Sequence, residues 1–241
     1  VYGDTPPQFS APTYVVDNPE QAERAAGRLR AHLGLGDEPI QNLVALVESM
    51  ELRVAPVDVD TDRFDGLAGW AREGVPYAAY LHNGVFPGER QRFTLAHELG
   101  HVVMDTQAAE ANGFDSDDLA NRFAGALLVS LSSLLLELDG RRRVGLSDLL
   151  ALKPHYGASL QCLVHRASQC GLIDNGTQTA MWIDIKRNGW WGREPHPVPP
   201  ERPTKHEELV GQALAEGLVT LSRAAELAGR TISEVAQTYG V

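Results

Sequence analysis

Arg92-Phe93-Thr94-Leu95-Ala96-His97-Glu98-Leu99-Gly100-His101-Val102-Val103-Met104 is the stretch on which the reading of this chain turns. It holds His-Glu-x-x-His in a largely apolar window and predicts a helix from about Arg90 to Met104. Residues i and i+4 lie one turn apart on a single helix face, so His97 and His101 present two imidazoles to the same point. At that spacing both can ligate one zinc ion at about 2.0–2.1 Å. Glu98 stands beside the first histidine and can take a proton from a water that attacks a carbonyl. The plainer reading is a buried helix that happens to carry two histidines. Burying them with a carboxylate and no partner would be costly, which favours the metal.

A catalytic zinc takes three protein ligands and keeps one position open, so a third donor must come from elsewhere. The next predicted helix, from about Asp117 to Leu128, offers Asp115, Asp117 and Asp118 at its start. With Leu119, Phe123 and Leu127 toward the core, Asp117 and Asn121 stand one turn apart and can both point at the metal. Spacing alone leaves Asp117 and Asp118 close competitors. Carboxylates at a helix start also cap it and meet the positive end of its dipole.

Outward from these helices, Glu20 to Leu33 reads as a helix closed by Gly34 and Gly36, and a second helix follows with Pro39 near its start. Leu52 to Val59 is valine-rich and reads as a strand. Gly66 to Arg72 and Pro76 to Leu81 read as two more, joined by a turn at Glu73-Gly74 into a small antiparallel sheet. From Leu131 onward the patterns are helical, with turn signals at Gly140, Gly145, Gly157 and Gly171. Residues 192–203 contain Pro195, Pro197, Pro199, Pro200 and Pro203 and read as a stiff linker, after which short helices close the chain.

The 241 residues suffice for one sizeable domain or two small ones, and the 43% hydrophobic content excludes a disordered chain. No apolar run is long enough for a membrane span. The formal net charge of -11 works against general nucleic-acid binding, and Arg141-Arg142-Arg143 reads as a solvated turn. Cys162 and Cys170 are eight residues apart in what reads as one helix, so their Cα atoms would lie about 12 Å apart, too far for a disulfide. Free thiols point to the cytoplasm.

The sequence resembles the ImmA/IrrE family of metallopeptidases. The likeness is carried by Arg92 to His101 and by Ala120-Asn121-Arg122-Phe123-Ala124-Gly125-Ala126-Leu127-Leu128. It extends upstream to Pro39-Ile40-Gln41-Asn42-Leu43 and downstream through Tyr156-Gly157-Ala158-Ser159-Leu160-Gln161, Gly171-Leu172-Ile173 and Arg193-Glu194-Pro195. The downstream part is similar to the subgroup in which the module follows an N-terminal DNA-binding helix-turn-helix head, and no such head is read here.

The resemblance implies an α+β fold: a zincin-like domain with a small antiparallel sheet and the His-Glu-x-x-His helix, followed by an all-helical C-terminal region. Composition and pattern along the chain give a lead-in over 1–19, a helical extension over 141–191, the linker over 192–203 and a small helical unit over 204–241, and the resemblance makes 20–140 the metallopeptidase domain. Carried over by position, His97 and His101 are zinc ligands, Glu98 is the general base and Asp117 is the third ligand. The family's usual third ligand is a glutamate, so Asp117 is a departure by one methylene, and Ser130 stands where a proline is usual. The implied activity is zinc-dependent cleavage of a regulatory protein, a helix-turn-helix repressor. The other function class that fits is a metal-binding sensor that regulates a transcription factor by docking, without cutting.

Other side chains invite weaker readings. His155, His165 and Tyr156 could donate to a transition state, although packing roles suit them better. Trp190 and Trp191 could dock a peptide, or pin the proline-rich stretch to the body. Leu221 to Val235 has the outline of two helices joined at Gly229, as in DNA-reading units, but its second helix is poor in basic residues.

Overall fold

The computed structural model describes residues 8–57, 65–71, 74–81, 86–139 and 143–240. Residues 1–7 of the lead-in, the expected strand end at Asp58 and Val59, Arg72, Glu73, Gly140, Arg141 and Arg142 lie outside the described residues. The chain divides into two units, one spanning Phe9–Glu201 and the other Arg202–Val241 with Val1–Gln8.

The architecture of the larger unit is α+β. In chain order it runs β1 (Tyr14–Val15), α1 (Pro19–His32), α2 (Leu43–Ser49), β2 (Arg53–Val57), β3 (Gly66–Trp70) and β4 (Pro76–Leu81). It continues with α3 (Gly88–Val103), β5 (Met104–Asp105), α4 (Gln107–Ala111), α5 (Ser116–Leu128) and α6 (Leu131–Glu137). The last elements are α7 (Leu146–Tyr156), α8 (Leu160–Gln169) and α9 (Asn175–Arg187). Local chemistry sets the helix starts. Asn18, Asn42, Asp115, Ser130, Ser159 and Asp174 each accept a backbone N–H with the side chain at an N-terminus. Pro39 lies ahead of α2 rather than in its first turn.

The β3–β4 hairpin is antiparallel, as expected. The sheet as a whole is not. Its order is β2-β4-β3, and β2 pairs with β4 in parallel, from Arg53↔Tyr77 to Val57↔Leu81. The chain reverses twice between β2 and β4, and β3 already fills one edge of β4. β2 takes the other edge, running in the same direction.

The core centres on α3, which packs against α5 and against β3 and β4, while α5 also packs on α1. Leu95, Leu99 and Val103 of α3 meet Leu119, Phe123 and Leu127 of α5 in one continuous cluster, each of them fully buried. At the crossing, a Cβ on Gly100 would lie 3.1 Å from Phe123 Cδ1 and 3.5 Å from Ala120 Cα. The two helices therefore approach as closely as small residues permit.

Several charges are buried with their partners. Arg166 donates to Glu23 at 2.9 and 3.3 Å and to the Val129 carbonyl at 3.0 Å, and Arg122 also pairs with Glu23. A second network ties residues 194–201 to the start of α3. Arg92 pairs with Glu201, Gln91 exchanges two hydrogen bonds with the Glu201 backbone, and Glu89 accepts from Val198 N–H. Lys153 joins Glu89 to Glu194, whose carboxylate also caps α8 through the Leu160 and Gln161 amides. The structure thus gives most of the proline-rich stretch a role different from a free linker: up to Glu201 it is a strap on the larger unit. Gly88 makes the strap possible, since a Cβ there would collide with the Pro199 carbonyl.

The smaller unit holds α10 (Lys205–Ala215), α11 (Leu221–Ala228) and α12 (Ile232–Tyr239) around Val210, Ala224, Ala225 and Val235. Gly229, at φ 62°, turns the chain from α11 into α12, and Thr231 with Glu234 forms a capping box. α12 carries Glu234 and neither lysine nor arginine. Among the described residues, no single helix is long and apolar enough to cross a membrane.

Phe123→Ala removes a fully buried ring at the α3–α5 crossing and should cost about 3–5 kcal/mol, measured as the loss in urea-unfolding free energy of the metal-free chain. Burial raises the Glu23 carboxyl, but Arg166 and Arg122 outweigh it and hold the folded value below the ordinary one. Its contribution is therefore complete above the ordinary value of about 4.3 and fades as pH falls through the lowered folded value. A Glu23→Gln chain should be less stable at neutral pH and should lose less stability than the unmodified chain on acidification through that range.

Candidate metal centre

α3 places His97 and His101 one turn apart, and their Nε2 atoms lie 3.0 Å from one another with the rings edge to face. α5 brings Asp117 to the same point, its Oδ1 3.2 Å from His101 Nε2 and 3.8 Å from His97 Nε2. The three donor atoms all fall within 4.8 Å of one another. Tetrahedral zinc with bonds of about 2.0–2.1 Å needs ligand atoms roughly 3.3–3.5 Å apart. The observed separations bracket that range. The donor set, two neutral-capable imidazoles and one carboxylate, suits zinc in kind as well as in spacing. Burial, then the neighbouring His101, lowers the pKa of His97 and so favours the neutral imidazole a metal requires.

Asn121 completes the histidine geometry. Its Oδ1 lies 2.9 Å from His97 Nδ1, so Nδ1–H donates to the amide oxygen and Nε2 is left with a lone pair directed at Asp117 and His101. The sequence pointed Asn121 toward the metal by helical phase. In the structure it acts on the ligand instead.

Glu98 is buried and faces the sheet. Ala68 N–H of β3 hydrogen-bonds its carboxylate. Burial first, and the charge of Asp117 second, push its pKa to about 7, against the smaller opposing effect of that amide. Gly66 is the contact that sequence reading missed. A Cβ there would sit 2.5 Å from Glu98 Oε1 and 2.5 Å from Thr94 Cγ2. Its only signal in the sequence is a glycine at a strand start, which reads equally well as a turn.

Asp117 and Asp118 separate in space. Asp117 meets the histidines, whereas Asp118 lines a cavity between α3, α5 and α8. Asp115 caps α5 through the Asp117 amide. Of the weaker candidates, His155 lies 3.5 Å from Glu137 and meets the buried Tyr156 edge to face, while His165 packs tilted against Trp182. Trp190 packs against the core, and Trp191 meets Trp182 edge to face but remains 65% exposed. Cys162 and Cys170 are free thiols; Cys162 is buried in α8, and burial pushes its pKa to about 12, so it is inert as a nucleophile.

No curated protein matches the chain. Residues 58–168, which include α3 and α5 with both histidines and Asp117, match the family model of the IrrE N-terminal-like domain, a peptidase family.

Two substitutions test the surroundings of the centre. Asn121→Ala should weaken zinc binding about 10–100-fold by competition with a chromophoric chelator. Gly66→Ala should leave zinc affinity within a few-fold of the original while displacing Glu98, visible as a shifted carboxyl resonance in NMR titration of a chain labelled at glutamate. The match makes residues 58–168 similar to the IrrE N-terminal-like domain of the ImmA/IrrE peptidases.

Proposed function

We propose that this chain is a cytoplasmic zinc-dependent endopeptidase that cleaves a regulatory protein, a helix-turn-helix repressor. The observation that carries the reading is the convergence of His97 Nε2, His101 Nε2 and Asp117 Oδ1 within 4.8 Å, with Glu98 one residue from the first of them. His97, His101 and Asp117 hold the metal. When bound, zinc supplies Lewis acidity to the scissile carbonyl and to water. Glu98 accepts the proton of the attacking water and passes it to the leaving amine, and its burial makes its carboxylate a stronger base than an exposed one. Asn121 keeps His97 in the ligating tautomer.

A protein substrate suits the setting. β3 pairs with β4 on one side, and its backbone runs beside Glu98. An extended peptide can add along such an edge and lie with a carbonyl over the metal. The free thiols of Cys162 and Cys170 fit a reducing compartment. The absence of lysine and arginine from α12 favours a protein partner over direct reading of nucleic acid.

Metal analysis of the purified chain should give about one zinc per chain, lost in both His97→Ala and Asp117→Ala. Glu98→Gln should keep the zinc and reduce peptide cleavage by at least about 100-fold, as expected for loss of a general base. A chain that regulates its repressor equally well with Glu98→Gln would instead be a docking sensor. A chain that takes up no zinc when zinc is added would rule out the hydrolase.

A further inference from the structure

A cavity of about 810 Å³ opens between α3, α5 and α8. It adjoins the histidine pair through Asn121, which both lines it and hydrogen-bonds His97, and Phe93 on its wall lies one turn before His97 on the same face of α3. Phe86, Phe93 and Cys162 make part of that wall apolar. Its volume admits more than one residue of an extended chain.

The charges around this cavity do not balance. Arg90 pairs with Asp65 at 2.6 Å, and Arg122 and Arg166 both pair with Glu23. Glu89 and Glu194 share Lys153. Arg122 and Arg166 thus share one carboxylate and Glu89 and Glu194 share one cation, so these two groups offset each other and every charge in them has a partner. Asp118 is the exception. It is exposed, and among the described residues it has no ion pair. Its place in the first turn of α5 gives it a favourable dipole, which accounts for an acid there but not for the cavity it faces.

We propose that this cavity receives the substrate segment flanking the scissile bond and selects a lysine or arginine, whose charge pairs with Asp118. Resting on the endopeptidase reading, this adds the class of side chain the site prefers. The aliphatic stem packs on Phe86 and Phe93 while the cationic end reaches the carboxylate, so that a long side chain satisfies both walls. An acidic side chain in the same place would meet Asp118 as a like charge.

The test uses the full zinc-loaded chain. In the Glu98→Gln form, which holds peptides uncut, four fluorescein-labelled dodecapeptides differing at one central residue are compared by anisotropy: lysine, arginine, norleucine and glutamate. The basic peptides should bind about tenfold tighter than the norleucine peptide, the size of one charge-assisted hydrogen bond. That advantage should vanish in a second substitution, Asp118→Asn, and pass to the glutamate peptide in Asp118→Arg, with zinc content the same in all forms. Equal or undetectable binding of the four peptides, a basic preference that survives Asp118→Asn, or loss of zinc in that variant would each overturn the proposal. In parallel, the unmodified chain is given decapeptides randomised at every position. Lysine or arginine enriched at one position beside the cut supports the proposal, and cuts without such enrichment overturn it while leaving the endopeptidase reading intact. Basic peptides bound through Asp118 but none cleaved would overturn the endopeptidase reading and leave the cavity's selectivity standing.

Discussion

The close approach of α3 to α5 is the constraint from which the site follows. Two of the three candidate donors ride on α3 and the third on α5, so the geometry of the cluster is only as good as the spacing of two helices. Gly100 sets that spacing. With no side chain at that position, Phe123 and the Ala120 backbone come up to the surface of α3. The aspartate at position 117 has an arm one methylene shorter than a glutamate's, about 1.5 Å along the chain. A short arm demands a near helix, and the glycine–alanine contact supplies one. Asp117 Oδ1 then lies 3.2 Å from His101 Nε2. The aspartate is thus compatible with the centre because the packing beneath it is tight.

A second constraint acts at the other end of α3. Glu89, Gln91 and Arg92 are buried in its first turns, where polar groups without partners would cost several kcal/mol. Each finds a partner on the 194–201 strap or on α7. Glu194 and Glu201 do double duty: one caps α8 and the other accepts from Val44 N–H at the start of α2, while each meets a buried cation. The strap therefore fixes the axis of the metal helix against three neighbours. It does so with interactions that fail together, because removing one charge leaves another buried alone.

What the sequence revealed, and what it concealed, divides along the same physical line. Helical phase is local, so His97, His101 and the facing positions of α5 could be read from spacing, as could the hairpin and the starts of α1, α3 and α5 to within two residues. Asp117 and Asp118 could not be separated in that way. Adjacent residues differ by about 100° around the axis, and which of them meets α3 depends on how the helices cross. The resemblance pointed to Asp117, and the geometry brings Asp117 to the histidines. The parallel pairing of β2 with β4 was hidden for a related reason: strand order is a choice among non-local partners, and a valine-rich run carries no mark of its neighbour. The strap was hidden because prolines in series describe a stiff chain without saying what it rests on. Gly66 was hidden because its meaning lies wholly in the carboxylate it lets pass.

One rigid element unites the chemistry with the choice of substrate. Within three turns of α5, Asp117 meets the histidines, Asn121 orients His97, and Asp118, Arg122 and Gly125 face the cavity. Consecutive positions on a helix cannot move independently. A shift of Asp118 would carry Asp117 with it, because the two are adjacent on one helix. The tight Gly100 contact limits how far either displacement can go, since a packed core shifts between discrete arrangements more readily than it stretches. Position 117 and position 118 are therefore coupled through the backbone of one helix, and the packing that places Asp117 beside the histidines also sets where Asp118 stands on the cavity wall.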